Sequence, residues 1–230
     1  TYLSREKRFF IHTNIGTAHC PNTGSMKSII DRPIARIWLS DHGPDDTRPT
    51  TRKLRYTAEI AEFPDGTLAV INTARANDLA KEALTHRQTP SLASYSNVKM
   101  EAKWDAETRF DALLTQDQKR CWVEVKSSTL QLESNIASFP DSVSTRGQKH
   151  LQVLMQAVAQ GDAAVQLYLV MRTGSSYFSP AAHIDATYAT LLAQAQAAGV
   201  QVLCHEAAFT RDANGTPTEI TLGKPLKVVL

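Results

Sequence analysis

Residues 1–72 contain four short runs in which apolar and polar positions alternate or β-branched and aromatic residues are concentrated, a pattern typical of strands. The runs cover residues 8–11, 35–40, 55–63 and 68–72. Pro64, Asp65 and Gly66 separate the last two runs and favour a hairpin turn. Because several short strands fall within one small segment, we predict a small all-β domain over residues 1–72, a barrel or a sandwich, with an OB-like barrel as one option.

From residue 73 onward the periodicity changes. We predict helices over residues 76–84, 145–160 and 185–198, strands over 98–104, 108–114, 121–129, 163–171 and 200–206, and a hairpin around 212–215. The run 163–171 is apolar almost throughout, as expected for a strand buried on both faces. Thr145 and Gln148 fit a capping box at the start of the second helix, which Gly161 ends, and Asp185 can cap the third. The order α-β-β-β-α-β-α-β indicates an α/β domain over residues 73–230.

Composition excludes several classes of protein. The chain has 42% hydrophobic and 21% charged residues, as in ordinary globular domains. Cys20, Cys121 and Cys204 lie far apart and are odd in number, so no disulfide framework is indicated and a cytoplasmic location is expected. No apolar run reaches the length of a membrane span. The pI near 8.4 is only mildly basic and does not by itself indicate a nucleic-acid partner.

Basic residues are nevertheless clustered in one stretch of the N-terminal domain. Arg48, Arg52, Lys53 and Arg55 lie among Thr and Pro residues. Such a cluster can bind phosphates, because release of counterions favours association. The alternative is an ordinary solvated loop, and composition alone leaves both interpretations open.

Two predicted strands, 108–114 and 121–129, carry acidic residues that can meet. If Leu114 pairs with Cys121, Asp111 lies opposite Glu124, and Arg109 and Lys126 share their face, while Phe110, Ala112, Val123 and Val125 point into a core. Like charges directly opposed on a sheet are destabilising, so a cation is needed between them. Mg²⁺ favours one or two carboxylates with water and phosphate oxygens, and Lys126 can act on the attacking water.

An alternative reading of the same hairpin is a solvent-facing ladder with a weak surface pair between Glu124 and Arg109. A register shifted by one residue would place the two carboxylates on opposite faces of the sheet. The position of the hairpin within the α-β-β-β-α-β order favours the metal site.

A second cluster lies at the start of the predicted helix 145–160. Arg146 and Lys149 lie in its first turn, where cations oppose the helix dipole unless an anion is bound there. Gln148 and His150 are also candidates to reach substrate. An ordinary capped helix with exposed cations is the alternative.

Other polar motifs give weaker signals. The loop from His19 to Met26, which includes Asn22, is rich in turn-forming residues and can present backbone N–H groups to a phosphate. Arg75 can contact either nucleic acid or the other domain. A zinc site from His19, Cys20, Cys204 and His205 lacks a Cys-x-x-Cys pair and is not favoured. No glycine-rich phosphate loop of the P-loop or dinucleotide type is present.

Short motifs recur along nearly the whole chain in a fixed order. They are Lys7-Arg8-Phe9, His19-Cys-Pro-Asn-Thr-Gly-Ser-Met26, Asn72-Thr73, Arg75-Ala-Asn77, Arg109-x-Asp111, Val123-Glu-Val-Lys126, Thr129-Leu130, Phe139-Pro-Asp141, Arg146-Gly-Gln-Lys-His-Leu151, Phe178-Ser-Pro180 and His183-Ile-Asp185. In these motifs the chain resembles the sugar fermentation stimulation protein family. So many ordered matches make a chance similarity untenable.

This resemblance implies an N-terminal OB-type domain followed by a PD-(D/E)xK restriction-endonuclease-like core. The acids and the lysine of that class fall on Asp111, Glu124 and Lys126. It also implies DNA binding without strong sequence preference and a proposed role in regulating sugar (maltose) metabolism. In this chain Ala58 lies where the family often has an aromatic ring able to stack on bases, Ala112 replaces a usual Phe, and Ser128 replaces a usual Val.

Two functions therefore follow as hypotheses. The first is a Mg²⁺- or Mn²⁺-dependent nuclease acting on DNA, or alternatively on RNA. In that hypothesis Asp111 and Glu124 hold the metal and Lys126 completes the catalytic set. The residues expected to bind phosphates are Arg8, Asn22, Arg52, Lys53, Arg75, Arg146, Gln148, Lys149 and His150. The second is a catalytically silent DNA-binding regulator of sugar metabolism, which would need the basic surface but not the acids.

Overall fold

The computed structural model describes residues 1–44, 46–47, 49, 51–132 and 135–230. Its N-terminal part is a curled six-stranded antiparallel and parallel sheet in the order β1-β2-β3-β5-β4, with β6 on β5. The strands are β1 Tyr2–Glu6, β2 Phe10–Thr13, β3 Gly16–His19, β4 Arg36–Asp41, β5 Tyr56–Glu62 and β6 Leu68–Val70. Ile11, Ile29, Phe63 and Ile71 lie in its core and are fully buried. The prediction of a small OB-like β domain is confirmed.

The rest of the chain is built on a second six-stranded sheet in the order β15-β14-β12-β9-β8-β7. Its strands are β7 Asn97–Lys103, β8 Arg109–Gln116, β9 Lys119–Ser128, β12 Ala163–Val170, β14 Gln201–Arg211 and β15 Pro217–Pro225. Its helices are α1 Ala74–Thr85, α2 Thr145–Ala159 and α3 Ala186–Ala197, with a short 3₁₀ turn at Pro90–Leu92. The predicted α-β-β-β-α-β-α-β order is confirmed, and residues 212–215 form the predicted turn between β14 and β15.

Helices cover the central sheet on both faces. The helices α2 and α3 pack on one face around Leu151, Leu154 and Tyr168, and α1 packs on the other around Leu79 and Leu167. Strand β12 pairs in parallel with both β9 and β14. It is therefore buried along almost its whole length, as its apolar sequence predicts.

A third, four-stranded sheet was not predicted. It has the order β10-β11-β13-β16, and its strands are β10 Gln131–Leu132, β11 Ile136–Phe139, β13 Tyr177–Pro180 and β16 Lys227–Val228. These strands span two to four residues, which is too short for an alternating pattern to stand out in the sequence. The first two connect the end of β9 to the start of α2, so this small sheet fixes the approach of the helix to the central sheet.

The two parts of the chain meet along β6. The N–H of Val70 donates to the carbonyl of Met171 at 2.8 Å, and the N–H of Thr173 donates to the carbonyl of Leu68 at 2.9 Å. Arg172, which lies between Met171 and Thr173 in the chain, is 0% exposed. Its Nη1 donates to the carbonyl of Thr129 at 3.1 Å. Among the residues that the structure describes, no helix combines the length and the apolar character needed to cross a bilayer.

The predicted capping box of α2 is wrong by one residue. Ser144, not Thr145, is the N-cap, and its hydroxyl accepts a hydrogen bond from the N–H of Gly147 at 3.2 Å. Gln148 does not return to the cap, because its side chain donates instead to Asp185. The sequence contains two adjacent hydroxyl residues, and only the local backbone decides which of them precedes the first helical residue. The prediction that Asp185 caps α3 is confirmed, since its side chain accepts from the N–H of Tyr188.

Replacing Ser144 with alanine removes this cap. We expect Ser144→Ala to lower the free energy of unfolding by about 1 kcal/mol, because an N-terminal N–H of α2 loses its acceptor. Urea unfolding monitored by circular dichroism measures the change. Ser142→Ala, at an exposed position just before the helix, is the matched control and should change little. Equal stability of the two variants would contradict the assignment of the cap.

Candidate metal and phosphate site

The acidic pair lies where β8 and β9 run side by side. The predicted register is confirmed: Leu114 pairs with Cys121, and Ala112 pairs with Val123. Asp111 and Glu124 come one step beyond that last pair. The carboxylate of Asp111 reaches across to the neighbouring strand, where its Oδ2 accepts a hydrogen bond from the N–H of Val125 at 2.7 Å.

The side chains of β8 do not alternate between the two cores as predicted. The expectation that Phe110 and Ala112 enter the same core is wrong, because Phe110 packs in the cluster beneath α2 and Ala112 in the cluster beneath α1. The Asp111 carboxylate occupies an N–H that a regular ladder would use, and Glu101 on the other neighbouring strand has a positive φ of 51°. The positive φ of Glu101 is therefore a local irregularity of β7 beside Asp111.

Asp111 is in an environment unfavourable to its charge. Burial, followed by the neighbouring charge of Glu124, raises the pKa of Asp111 from the ordinary value of 3.8 to about 6. The hydrogen bond from Val125 and the charge of Lys126 oppose this rise only partly. The carboxylate is therefore held close to another anion without a counterion of its own.

Glu124 is buried, and two side chains donate hydrogen bonds to its carboxylate. The ammonium of Lys126 donates to its Oε1 at 2.5 Å, and Nδ1 of His150 donates to the same oxygen. Burial alone would raise the pKa of Glu124, but the bonds from His150 and Lys126 hold it below its ordinary value. Glu124 is therefore ionised at neutral pH. The alternative of a surface pair with Arg109 is excluded, since Arg109 lies 3.8 Å from Glu101 instead.

Side chains around Glu124 fix its position. Gln166 on β12 is fully buried and donates from Nε2 to the backbone carbonyl of Glu124 at 3.2 Å. The ring of Phe110 lies edge-on to the ring of His150, with centroids 6.1 Å apart. His150 was predicted to reach substrate, but the structure buries it against Glu124, so it acts on the carboxylate rather than at the surface. One turn of helix before His150, Arg146 donates from Nε to the other ring nitrogen at 3.4 Å.

The oxygen atoms present suit a small divalent cation. In the described part of the chain, Asp111 Oδ1 and Glu124 Oε2 accept no hydrogen bond, so each acid keeps one oxygen available. Over the same residues, no three His, Cys, Asp or Glu side chains are arranged to enclose a metal ion. Two carboxylates with the remaining positions left to water and phosphate are the usual protein contribution to Mg²⁺ binding. A zinc cage from Cys20 and Cys204 is not formed, because both thiols are buried in separate cores.

A basic groove leads to the buried His150. It encloses about 580 Å³ and is lined by Glu107, Thr108, Arg109, Thr145, Arg146, Lys149 and His150. Lys149 forms an ion pair with the exposed Glu107 at 2.8 Å, and Arg109 is half-exposed. The groove thus brings Arg146, Lys149 and His150 together. Gln148 is not, since its amide donates to both oxygens of Asp185 and joins α2 to α3.

The remaining candidates, on the N-terminal barrel and at the start of α1, do not form one cluster with the acids. Arg75 forms an ion pair with Glu59 at 3.0 Å beside a separate cleft. Arg8 donates to the carbonyl of Thr23, and the side chain of Asn22 accepts from the N–H of Gly24. Arg52 and Lys53 line a surface groove with Phe9. Arg48, in the same basic stretch, lies outside the described residues.

The sequence does not predict that the cleft at the junction of the two parts is a site. A cleft of about 250 Å³ is lined on the barrel side by Asn22, Thr23 and Lys27 and on the other side by Ser127, Thr129, Phe139 and Asp141, among others. Ser25 donates to Asp141 at 2.7 Å across it. The motifs that line it lie far apart in the chain, and only folding brings them together.

Ala58 occupies the position at which the family resemblance predicts a base-stacking aromatic ring. The structure shows that this position is 0% exposed and lies in the barrel core. A ring at position 58 would therefore point inward in this chain, and its absence removes nothing from the outer surface.

Comparison with family models divides the chain in a similar place to the residue patterns. Residues 3–71 match the model described as the SfsA N-terminal OB domain. Residues 74–213 match the model described as the sugar fermentation stimulation protein RE domain.

Curated relatives match over most of their length. A sugar fermentation stimulation protein homolog from Shewanella piezotolerans is 44% identical over 213 residues, covering 89% of this chain and 88% of the relative. One from Teredinibacter turnerae is 42% identical over 236 residues, covering 100% and 96%. Among solved structures, Pyrococcus furiosus SfsA in complex with Ca²⁺ matches with a TM-score of 0.80 at 24% identity, covering 100% of this chain and 94% of that one. The fold is thus shared with a solved structure.

Proposed function

Because the chain belongs to the sugar fermentation stimulation protein family, we propose that it is a DNA-binding protein with a divalent-metal-dependent phosphodiesterase site. The observation that carries the proposal is the convergence of Asp111 and Glu124 with Lys126, each acid keeping one free oxygen. Perturbed pKa values cluster at functional sites, and burial together with the charge of Glu124 raises the pKa of Asp111 to about 6. The Ca²⁺ complex of the structural neighbour supports a site for a hard divalent cation.

Asp111 and Glu124 would hold Mg²⁺ or Mn²⁺. When bound, the cation supplies Lewis-acid polarisation of a phosphoryl oxygen and neutralises developing charge. His150 keeps Glu124 ionised and oriented through its hydrogen bond to Oε1. Lys126 lies on the same strand with its ammonium on that oxygen, so it can hold the attacking water and stabilise charge developing on the phosphate.

The basic groove explains how a phosphodiester would be presented. A backbone phosphate placed between Arg109, Arg146 and Lys149 lies next to His150, and so next to the carboxylate that His150 holds. Acids facing a polyanion repel it unless a cation intervenes. A regulator that only bound DNA would need the groove and would have no use for the buried acids.

A plasmid nicking assay tests the proposal. Wild-type protein with supercoiled plasmid should produce nicked circles with Mg²⁺ or Mn²⁺ and none with EDTA. Parallel incubations with single-stranded DNA and RNA identify the preferred substrate. If purified protein binds DNA but cuts no substrate under either cation, the phosphodiesterase proposal fails and the alternative of a silent DNA-binding regulator stands in its place.

The groove cations make a separate prediction. We expect Arg146→Ala and Lys149→Ala each to weaken DNA binding in EDTA at all sequences, and each to reduce the slope of log affinity against log salt by about 1, because each removes one phosphate contact. Fluorescence anisotropy at several salt concentrations measures this slope. Lys119→Ala, exposed at the far end of the β8–β9 hairpin, serves as the control. An unchanged slope in both groove variants would place the phosphates elsewhere.

A further inference from the structure

The hairpin loop between β1 and β2 has an unusual backbone. Glu6 pairs with Phe10, so Lys7, Arg8 and Phe9 form the loop. Lys7 and Arg8 have positive φ angles of 49° and 63°. This left-handed region is disfavoured for residues with a Cβ, and glycine or asparagine is the ordinary choice in such turns. Two consecutive long cationic residues in this conformation persist only where neighbouring groups fix them.

Two arginine side chains fix this loop. Arg5 donates from Nη2 to the carbonyl of Arg8 at 3.1 Å and to the carbonyl of Asn22 at 2.5 Å. Arg8 donates from Nη1 to the carbonyl of Thr23 at 3.2 Å. The loop is therefore held against residues 22–24 on its inner side, and Phe9 is presented outward in a defined orientation.

Phe9 is 48% exposed and lies among cations. With Phe10, His19, Thr51, Arg52, Lys53 and Leu54 it lines a surface groove of about 450 Å³. Arg8, His19, Arg52 and Lys53 are all exposed. The groove thus combines the exposed ring of Phe9 with basic side chains, and its other apolar lining residues, Phe10 and Leu54, are less exposed.

We propose that Phe9, flanked by Arg8, Arg52 and Lys53, is a stacking site for a base of single-stranded nucleic acid. Every base has a face that can stack on an aromatic ring, and flanking cations follow the phosphate backbone. In a duplex the bases are already stacked on each other, so only the cations could be used. This inference rests on the nucleic-acid-binding part of the proposed function and names an unpaired strand as the form bound.

Residues 22–24, which hold the β1–β2 loop, also line the cleft at the domain junction. Among them, Thr23 accepts the hydrogen bond from Arg8 through its carbonyl. Ser127, which directly follows Lys126 on the chain, and Thr129 also line that cleft. The loop that positions Phe9 therefore contacts residues of the cleft that lies beside the end of β9.

The test is binding of fluorescein-labelled oligo-dT and of a matched duplex, followed by anisotropy in EDTA. Phe9→Ala should weaken binding of the single strand by about tenfold and of the duplex by less than about twofold, because only the stacked base is lost. Phe9→Tyr should restore binding. Ile15→Ala, which removes an apolar side chain that is 58% exposed on the same barrel, should have no effect. Thermal unfolding of each variant checks that the barrel is intact.

Each other outcome has a defined meaning. Equal weakening of single strand and duplex, or no weakening, would overturn the inference. So would binding of an acidic peptide containing phenylalanine that Phe9→Ala abolishes while single-strand binding is unchanged, since the groove would then be a peptide site. Selective loss of single-strand binding in a protein that never cuts with Mg²⁺ or Mn²⁺ would leave this inference standing and overturn the phosphodiesterase proposal alone.

Discussion

Lys126→Ala should lose nicking activity by roughly 10²- to 10³-fold, the usual effect of removing a preorganised charge donor from a phosphoryl or acyl transfer site. The ammonium of Lys126 lies 2.5 Å from Glu124 Oε1 and is mostly shielded from solvent, so no other cation of the described chain replaces it there. DNA affinity should change little, because the groove cations Arg109, Arg146 and Lys149 remain.

Initial nicking rates and anisotropy on the same preparations separate the two effects. Lys99→Ala is the matched control, since Lys99 is exposed on β7 of the same sheet and should alter neither quantity. Circular dichroism confirms that the variant is folded. Nicking within about tenfold of wild type would remove Lys126 from the catalytic set.

The second large effect is expected from Asp111→Asn, which should make the metal-free protein more stable while abolishing cleavage. An amide keeps an oxygen to accept the bond from Val125 and removes a charge that is partly buried beside Glu124. We expect a gain of about 1–2 kcal/mol at pH 7, less than the full pKa shift implies, because solvent still screens a side chain that is not completely buried. Active sites commonly contain groups that lower the stability of the fold, so a gain in stability on removing the Asp111 charge is typical of a functional residue.

The gain in stability from Asp111→Asn should increase as the pH rises. The folded-state pKa of Asp111 is about 6 against an ordinary value of 3.8, so between these values the folded protein binds more protons than the unfolded chain. The contribution of Asp111 to wild-type stability should therefore fall as pH rises through this window, and the advantage of Asp111→Asn over wild type should grow from near zero at its acidic end. Urea unfolding in EDTA across the window measures it, with exposed Glu219→Gln as control. A variant no more stable than wild type at pH 7 would refute the crowded-carboxylate account.

Much of the fold follows from sequence because its longer elements have clear periodicity. The three helices and the strands of the central sheet lie within a few residues of prediction. The register of β8 and β9 was also predictable, since the polar stretch between Leu114 and Cys121 leaves room only for a tight connection. The acids and Lys126 therefore fall together as expected.

Features set by single side-chain contacts were not predictable. Phe110 lies in the cluster beneath α2 although Ala112, two residues further on, lies in the cluster beneath α1, and strict alternation along a strand does not predict this. The burial of His150 against Glu124 depends on how α2 docks, which its own sequence does not specify. Likewise the outward ring of Phe9 depends on Arg5 holding a left-handed loop, whereas the sequence alone indicated only a strand there.

Direct titration of Mn²⁺, followed by loss of the electron paramagnetic resonance signal of the free ion, tests the central claim of a cation held between Asp111 and Glu124. Wild-type protein should bind a single Mn²⁺ per chain, and an Asp111→Asn, Glu124→Gln double variant of intact fold should bind none. Equal binding by the two proteins, or no binding by wild type even with saturating oligonucleotide, would contradict it.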